Sequence, residues 1–182
     1  MRLRHSLAFA LMLFANSSIF AQSPDRSVVE NLVQHWDKSK DLALAIAQTV
    51  PANLYLFKAP EHEFTLAGQL NGIALADVLG CTMALHTRAP ERFQSAFDKP
   101  MDPSKAGVIE NLTEAYDYCI SGLKTMTDAD VLQVAAYKGR RETRFDIFWD
   151  AYARTTFMLG QADMFMRSKG LTPPDVGPKY DF

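Results

Sequence analysis

A chain of 182 residues, 48% hydrophobic and 22% charged, is long enough for one domain with a substantial buried core. Its formal net charge is −2, with acids and bases interspersed and no basic block, which excludes a protein built to neutralise a phosphate backbone. It has no Gly-rich phosphate loop, Gly-x-Ser-x-Gly elbow or Cys-x-x-Cys pair, so no motif points to the chemistries those patterns carry.

The first 21 residues read as a secretory signal peptide. Arg2 and Arg4 form a positive n-region, Leu7 to Ala15 is an apolar run too short to span a bilayer, and Ser17-Ser-Ile-Phe-Ala21 offers a cleavage site before Gln22. The alternative for this segment is an uncleaved anchor. No Cys follows the run to accept a lipid, so the expectation is a soluble exported protein, periplasmic or secreted, with no stable membrane insertion after cleavage. Cleavage removes Arg2 and Arg4 and no acid, leaving 17 basic against 21 acidic residues, and a single domain then occupies residues 22–182. Both cysteines, Cys81 and Cys119, lie in that domain and are bound for an oxidising compartment. Either they are bridged, with loop closure contributing about 4 kcal/mol in the chain-entropy model, or they are two buried thiols.

The mature chain reads as helices throughout, with no alternating strand pattern. Helix one follows Pro24-Asp25, capped by Asp25 or Ser27, with Val29, Leu32, Val33 and Trp36 at helical spacing and Pro51 just past its end. Asn53 to Glu63 is a connector. Helix two runs from near Thr65 to about Thr87, with Leu66, Leu70, Ala74, Val78, Cys81 and Leu85 as a buried face. Gly68, Gly72, Ala76, Gly80 and Ala84 recur every four residues along it, and each helical glycine costs about 1 kcal/mol relative to alanine, so the ridge needs a structural reason.

Ala89 to Pro103 reads as loop, and Ser104 caps helix three, which ends near Lys124. Thr127 caps a short further element with Asp128 and Asp130 in its first turn, and Tyr137 to Glu142 reads as a charged connection. Helix four is the longest, from about Thr143 to Ser168, and stops at Gly170 before Pro173-Pro174. Four long amphipathic helices in one domain argue for a bundle.

Several of these segments resemble the DinB-like (DinB/YfiT) four-helix-bundle family. Arg154-Thr-Thr-Phe-Met-Leu-Gly-Gln161, followed by Gly170-Leu-Thr-Pro-Pro174, looks like the family's closing helix, where two histidines four apart precede Arg-Gly-Gln. Phe64 to Ala74 looks like its second helix entry, Trp36 to Val50 like its first helix, and Leu123 to Asp130 like the step out of helix three. The resemblance implies an all-α four-helix bundle, here with a short extra helix between helices three and four. In metal-binding members, it implies a divalent transition metal held by one histidine of helix two and two of helix four.

In this sequence those three positions match Gly72, Arg154 and Met158. Glycine has no ligand atom, guanidinium is a permanent cation, and a lone thioether is a poor partner for zinc or nickel. The mature chain's histidines, His35, His62 and His86, form no pair at i, i+3 or i, i+4. Each reads as a surface or core histidine. His35 has room to turn inward beside Trp36, with Asp150 or Asp163 as conceivable partners.

Two readings of the altered positions stand side by side. In one, Met158 and the stem of Arg154 fill the space that a metal and its histidines would take, against the glycine ridge, and Asp150 neutralises Arg154 as an i, i+4 pair. In the other, Gly72, Arg154, Met158 and Gln161 line a pocket in which Arg154 holds an anionic ligand. The sequon Asn111-Leu-Thr113 falls in a helix and reads as chance, Glu110 and Glu114 as a solvated face, and Met158, Met164 and Met166 as core filling.

The expectation is an exported bundle without cofactor, non-catalytic or binding a small molecule, meeting no nucleic acid, with a homodimer through helix faces open to it. The competing class is a metal-dependent hydrolase or thiol transferase with non-standard ligands. Export weakens the transferase version, because low-molecular-weight thiols are a cytosolic resource.

Overall fold

The computed structural model describes residues 27–58, 64–96 and 98–175; the leader reading of residues 1–21 and the histidine at 62 fall outside them. Hydroxyl side chains start each long helix. Ser27 caps α1 (Val28–Thr49) in a capping box with Glu30, Thr65 caps α2 (Leu66–Leu85), and Ser104 caps α4 (Lys105–Lys124). Thr127 with Asp130 boxes the short α5 (Asp128–Val131), and Thr143 with Asp146 boxes α6 (Arg144–Ser168). α6 ends at a turn where Gly170 takes φ +70, a conformation that suits glycine.

Two segments differ from the sequence reading. The crossover between α2 and α4 contains a single helical turn, α3 (Glu91–Gln94), closed over the buried ring of Phe93. The charged connection is a hairpin, β1 (Val134–Tyr137) paired antiparallel with β2 (Arg140–Thr143), Val134 opposite Thr143 and Tyr137 opposite Arg140. Its two turn residues, Lys138 (φ 49) and Gly139 (φ 77), are both left-handed, the turn geometry whose twist matches that of paired strands.

Paired contacts give the helix directions. Ser39 meets Tyr116 and Gln48 meets Lys105, so α1 and α4 run antiparallel. Asn71 meets Asn111 and Cys81 is bridged to Cys119, so α2 and α4 run parallel. Gln69 meets Gln161 and Gly80 faces Ala151, so α2 and α6 run antiparallel. The bundle is up-down-down-up, and the long crossover carrying α3 lets α2 and α4 point the same way. Trp36, Leu70, Ile73, Leu112, Leu123 and Phe148 are fully buried at its centre, each worth roughly 1.5–3 kcal/mol relative to exposure.

α2 is apolar on all sides because it packs between α4 and α6. Two of its glycines allow the close approach of α6: a Cβ on Gly80 would strike Cβ of Ala151, and one on Gly72 would reach the Met158 methyl. On the other flank the cysteines settle as a disulfide, with Cα atoms 5.5 Å apart and both residues buried. Among the described residues no helix is long and apolar enough to cross a membrane.

Candidate functional site

Of the three positions that the resemblance assigns to metal ligands, Gly72 and Met158 meet across the α2–α6 contact. The Met158 methyl is 2.8 Å from where a Cβ on Gly72 would stand, so the thioether side chain occupies the notch left by glycine. Gln161, one turn further along α6, accepts a hydrogen bond from Nε2 of Gln69 at 2.5 Å, and the same amide donates to the Met158 carbonyl at 3.2 Å. Gly72, Met158 and Gln161 are thus brought together, as packing and cross-helix bonding. Arg154 is exposed.

Asp150 does not form the i, i+4 ion pair with Arg154 that the sequence suggests. It accepts from the Tyr137 hydroxyl at 2.5 Å and from Nζ of Lys138 at 3.0 Å, fastening the hairpin to α6, and these bonds, the Tyr137 one foremost, hold its carboxyl below the ordinary range. The hairpin captures this carboxylate, which is why a reading without strands assigned it to the wrong partner.

Gly72, Arg154 and Met158 do not fit a divalent metal: one lacks a side chain, one is an exposed cation, and the thioether is turned onto the glycine. His35 and His86, the histidines among the described residues, join no such ligand group. His35 does not turn inward; it is exposed, its ring against Tyr152 at 5.6 Å. His86 ends α2 in a left-handed conformation at φ 55 and is exposed. Among the described residues no group of three His, Cys, Asp or Glu side chains is placed to hold a metal ion.

The chemically unusual group lies deeper. Asp77 is fully buried at the middle of α2 and accepts a hydrogen bond from the Thr155 hydroxyl of α6, while its Oδ2 has no partner among the described residues. Desolvation drives its pKa well above the ordinary carboxylate value, because burial disfavours the charged form. Beside it on α4, Tyr116 exchanges a hydrogen bond with Ser39 at 2.9 Å; burial first, then the proximity of Asp77, raises its pKa. Trp36 stands edge-on to Tyr116 at 6.0 Å, its Nε1 unpartnered among the described residues. Asp77 was not singled out in the sequence, although it is the only charged residue in α2 and that isolation is visible there.

The sequon asparagine is accounted for as structure: Asn111 is buried and donates to Asn71 at 3.0 Å. Glu110 and Glu114 both pair with Arg92 on the crossover, at 2.5 and 2.8 Å. A groove of about 1090 Å3 runs along α4 from Glu110 to Thr125, over Leu85, Gly122 and Met126 and away from Gly72 and Arg154.

With this geometry in hand, solved structures provide a match. The chain is similar to a DinB-like protein from Bacillus cereus ATCC 10987, with a TM-score of 0.67 and 18% identity, covering 81% of this chain and 97% of that one. A DinB-like protein from Bacillus subtilis matches with a TM-score of 0.65 and 14% identity, covering 82% and 99%. The fold is DinB-like. No protein-family model and no curated protein sequence matches the chain. The match extends over nearly all of both neighbours. At 18% and 14% identity, what is shared is the fold.

Proposed function

We propose that this DinB-like bundle is exported and acts by binding, without the metal chemistry that the resemblance implies for metal-binding members. The observation that carries the reading is the Met158 methyl lying in the Gly72 notch. Met158, which would have to ligate, instead closes the α2–α6 contact, and the Gln69–Gln161 bond holds that contact shut. An anionic ligand clasped by Arg154 and Gln161 is not favoured, since Gln161 is already engaged and Arg154 points from an exposed position. The groove along α4 has the room for a small molecule that the Gly72 contact lacks.

Export is supported by the leader-like first 21 residues and by the Cys81–Cys119 bridge, which belongs to an oxidising compartment. The test is metal analysis of the mature chain exported by its own leader and purified without chelator. The expected result is substoichiometric zinc, nickel, iron and manganese, with a melting temperature that does not respond to added metal or to EDTA. A stoichiometric transition metal that disappears on His35→Ala or His86→Ala would overturn the reading in favour of an enzyme with non-standard ligands.

A further inference from the structure

Four carboxylates and one guanidinium stand among the described residues lining the groove along α4, and the fold treats them differently. Glu110 and Glu114 share Arg92, and Asp117 accepts from Lys40 at 2.5 Å. Asp130 accepts from the hydroxyl and the backbone N–H of Thr127, which hold its carboxyl below the ordinary range, and from the Gln133 amide at 3.2 Å. Each acid is therefore satisfied within the fold. Arg144 differs. It is half-buried at the start of α6, its Nε is shut off from solvent with no hydrogen-bond partner, and it forms no ion pair among the described residues. Asp130 feels it only as a nearby charge. A guanidinium never gives up its proton, so one held partly out of water with no anion beside it leaves a charge that a ligand can answer.

Position along the groove says how large that ligand is. α4 and α6 run in opposite directions, so Arg144 at the start of α6 lies at the Thr125 end of α4. From there the wall is apolar. Met126 lines it, and Leu85 lies across Gly122, where an added Cβ would collide with its methyls. Tyr118 follows, its hydroxyl tied to Thr82 at 3.1 Å and to Thr87 at 2.7 Å. The span from Thr125 to Tyr118 is about 10 Å at 1.5 Å per residue, the length of an extended chain of about eight carbons. One turn beyond, Glu114 and Glu110 with Arg92 replace the apolar wall by charge.

We propose that the groove binds a free amphiphile: a carboxylate seated on Arg144 and an unbranched apolar body of about eight carbons laid over Gly122 and Leu85 as far as Tyr118. A planar carboxylate matches the fork of the guanidinium's terminal nitrogens. A cationic head meets only acids that already have partners, and a neutral head leaves Arg144 without an anion. This inference rests on the binding reading above and names what the groove selects.

Isothermal titration calorimetry of the mature chain near neutral pH, with octanoate, 1-octanol and octylammonium as probes, tests it. Octanoate should bind at one site, at least about tenfold tighter than either of the others, as a charge-assisted hydrogen-bonded pair implies. Butanoate should bind more weakly, by up to about fourfold for each methylene removed, and dodecanoate should gain much less than that for each one added. Arg144→Gln should abolish the preference for octanoate over 1-octanol and leave 1-octanol binding in place, a change that loss of packing alone would not produce. Ser121→Trp, at an exposed position lining the groove, should block both probes, and Arg154→Gln, exposed on α6 outside it, should change neither. Far-UV circular dichroism of each variant should match wild type. Octanoate that fails to bind, binds no tighter than 1-octanol, keeps its preference in Arg144→Gln, or gains fully on extension to dodecanoate would overturn the proposal. A metal-free chain indifferent to octanoate overturns this inference alone, whereas a stoichiometric metal overturns the binding reading on which it rests.

Discussion

Burying the carboxyl of Asp77 at the centre of the bundle, with the Thr155 hydroxyl as its one side-chain hydrogen bond among the described residues, disfavours the charged form and lifts its pKa. Above about pH 4 the unfolded chain releases this proton while the folded chain keeps it. The folded state therefore holds more protons, and stability falls as pH rises from the ordinary carboxylate value toward the raised one, by at most about 1.4 kcal/mol per pH unit. Asp150, whose pKa is lowered, acts in the opposite sense: its contribution is present above the ordinary value and lost as pH falls through the lowered one. Urea unfolding of wild type and Asp77→Asn from about pH 4.5 to 8 separates the two. The difference between them should move in favour of the variant as pH rises from the ordinary carboxylate value toward the raised one; parallel curves would mean that burial does not shift Asp77. Two neighbouring glycines give a second contrast. At Gly72 an added Cβ meets the mobile end of Met158, so Gly72→Ala should change stability by less than about 1 kcal/mol, helix propensity offsetting the squeeze. At Gly80 it meets the short, fixed side chain of Ala151, so Gly80→Ala should cost about 1–3 kcal/mol in the same measurement.

At the scale of elements, the helices were legible because their ends are written in local chemistry. Ser27, Ser104, Thr127 and Thr143 each precede an apolar periodic run, and each caps the helix that follows. The glycine ridge was legible as a close approach, and at Gly72 and Gly80 the structure names α6 as the partner, whereas Gly68 faces Thr65 and Phe64 at the start of its own helix. The hairpin was not legible by periodicity, because four residues per strand, Val134–Tyr137 and Arg140–Thr143, are too few to establish alternation, and Arg140 and Arg141 read as solvated loop. Its one local mark was Lys138-Gly139, a two-residue turn with glycine second. Whether Asp150 pairs with Arg154 or with Lys138 depends on that hairpin, so the error propagated into the site. The turn is also where the element is most sensitive. Gly139→Val places a β-branched residue at φ 77, which should cost about 1–2 kcal/mol. Hydrogen exchange should find the loss of protection concentrated in 134–143, while α1, α2 and α4 keep theirs.

For the whole molecule, the arrangement of directions matters more than any single helix. α2 and α4 run parallel, so no tight turn can join them, and the chain reaches from one to the other through the long crossover that carries α3. Such a connection leaves a large loop to close on folding, and the Cys81–Cys119 bridge lies across that very pair. Closing that loop in the unfolded chain should stabilise the fold by about 4 kcal/mol, a sizeable part of the total stability of a domain this size. Because both cysteines are buried, a reductant reaches them only when the bundle opens. The native protein should therefore keep its bridge in millimolar dithiothreitol, with no thiol labelled over hours, and release two labelled thiols once urea unfolds it. Cys81→Ala combined with Cys119→Ala should unfold at lower urea by about 2–5 kcal/mol with helical content retained. Rapid labelling in the native state would show that α2 and α4 separate without global unfolding. A double variant as stable as wild type would show that packing along α4, not the cross-link, holds the parallel pair.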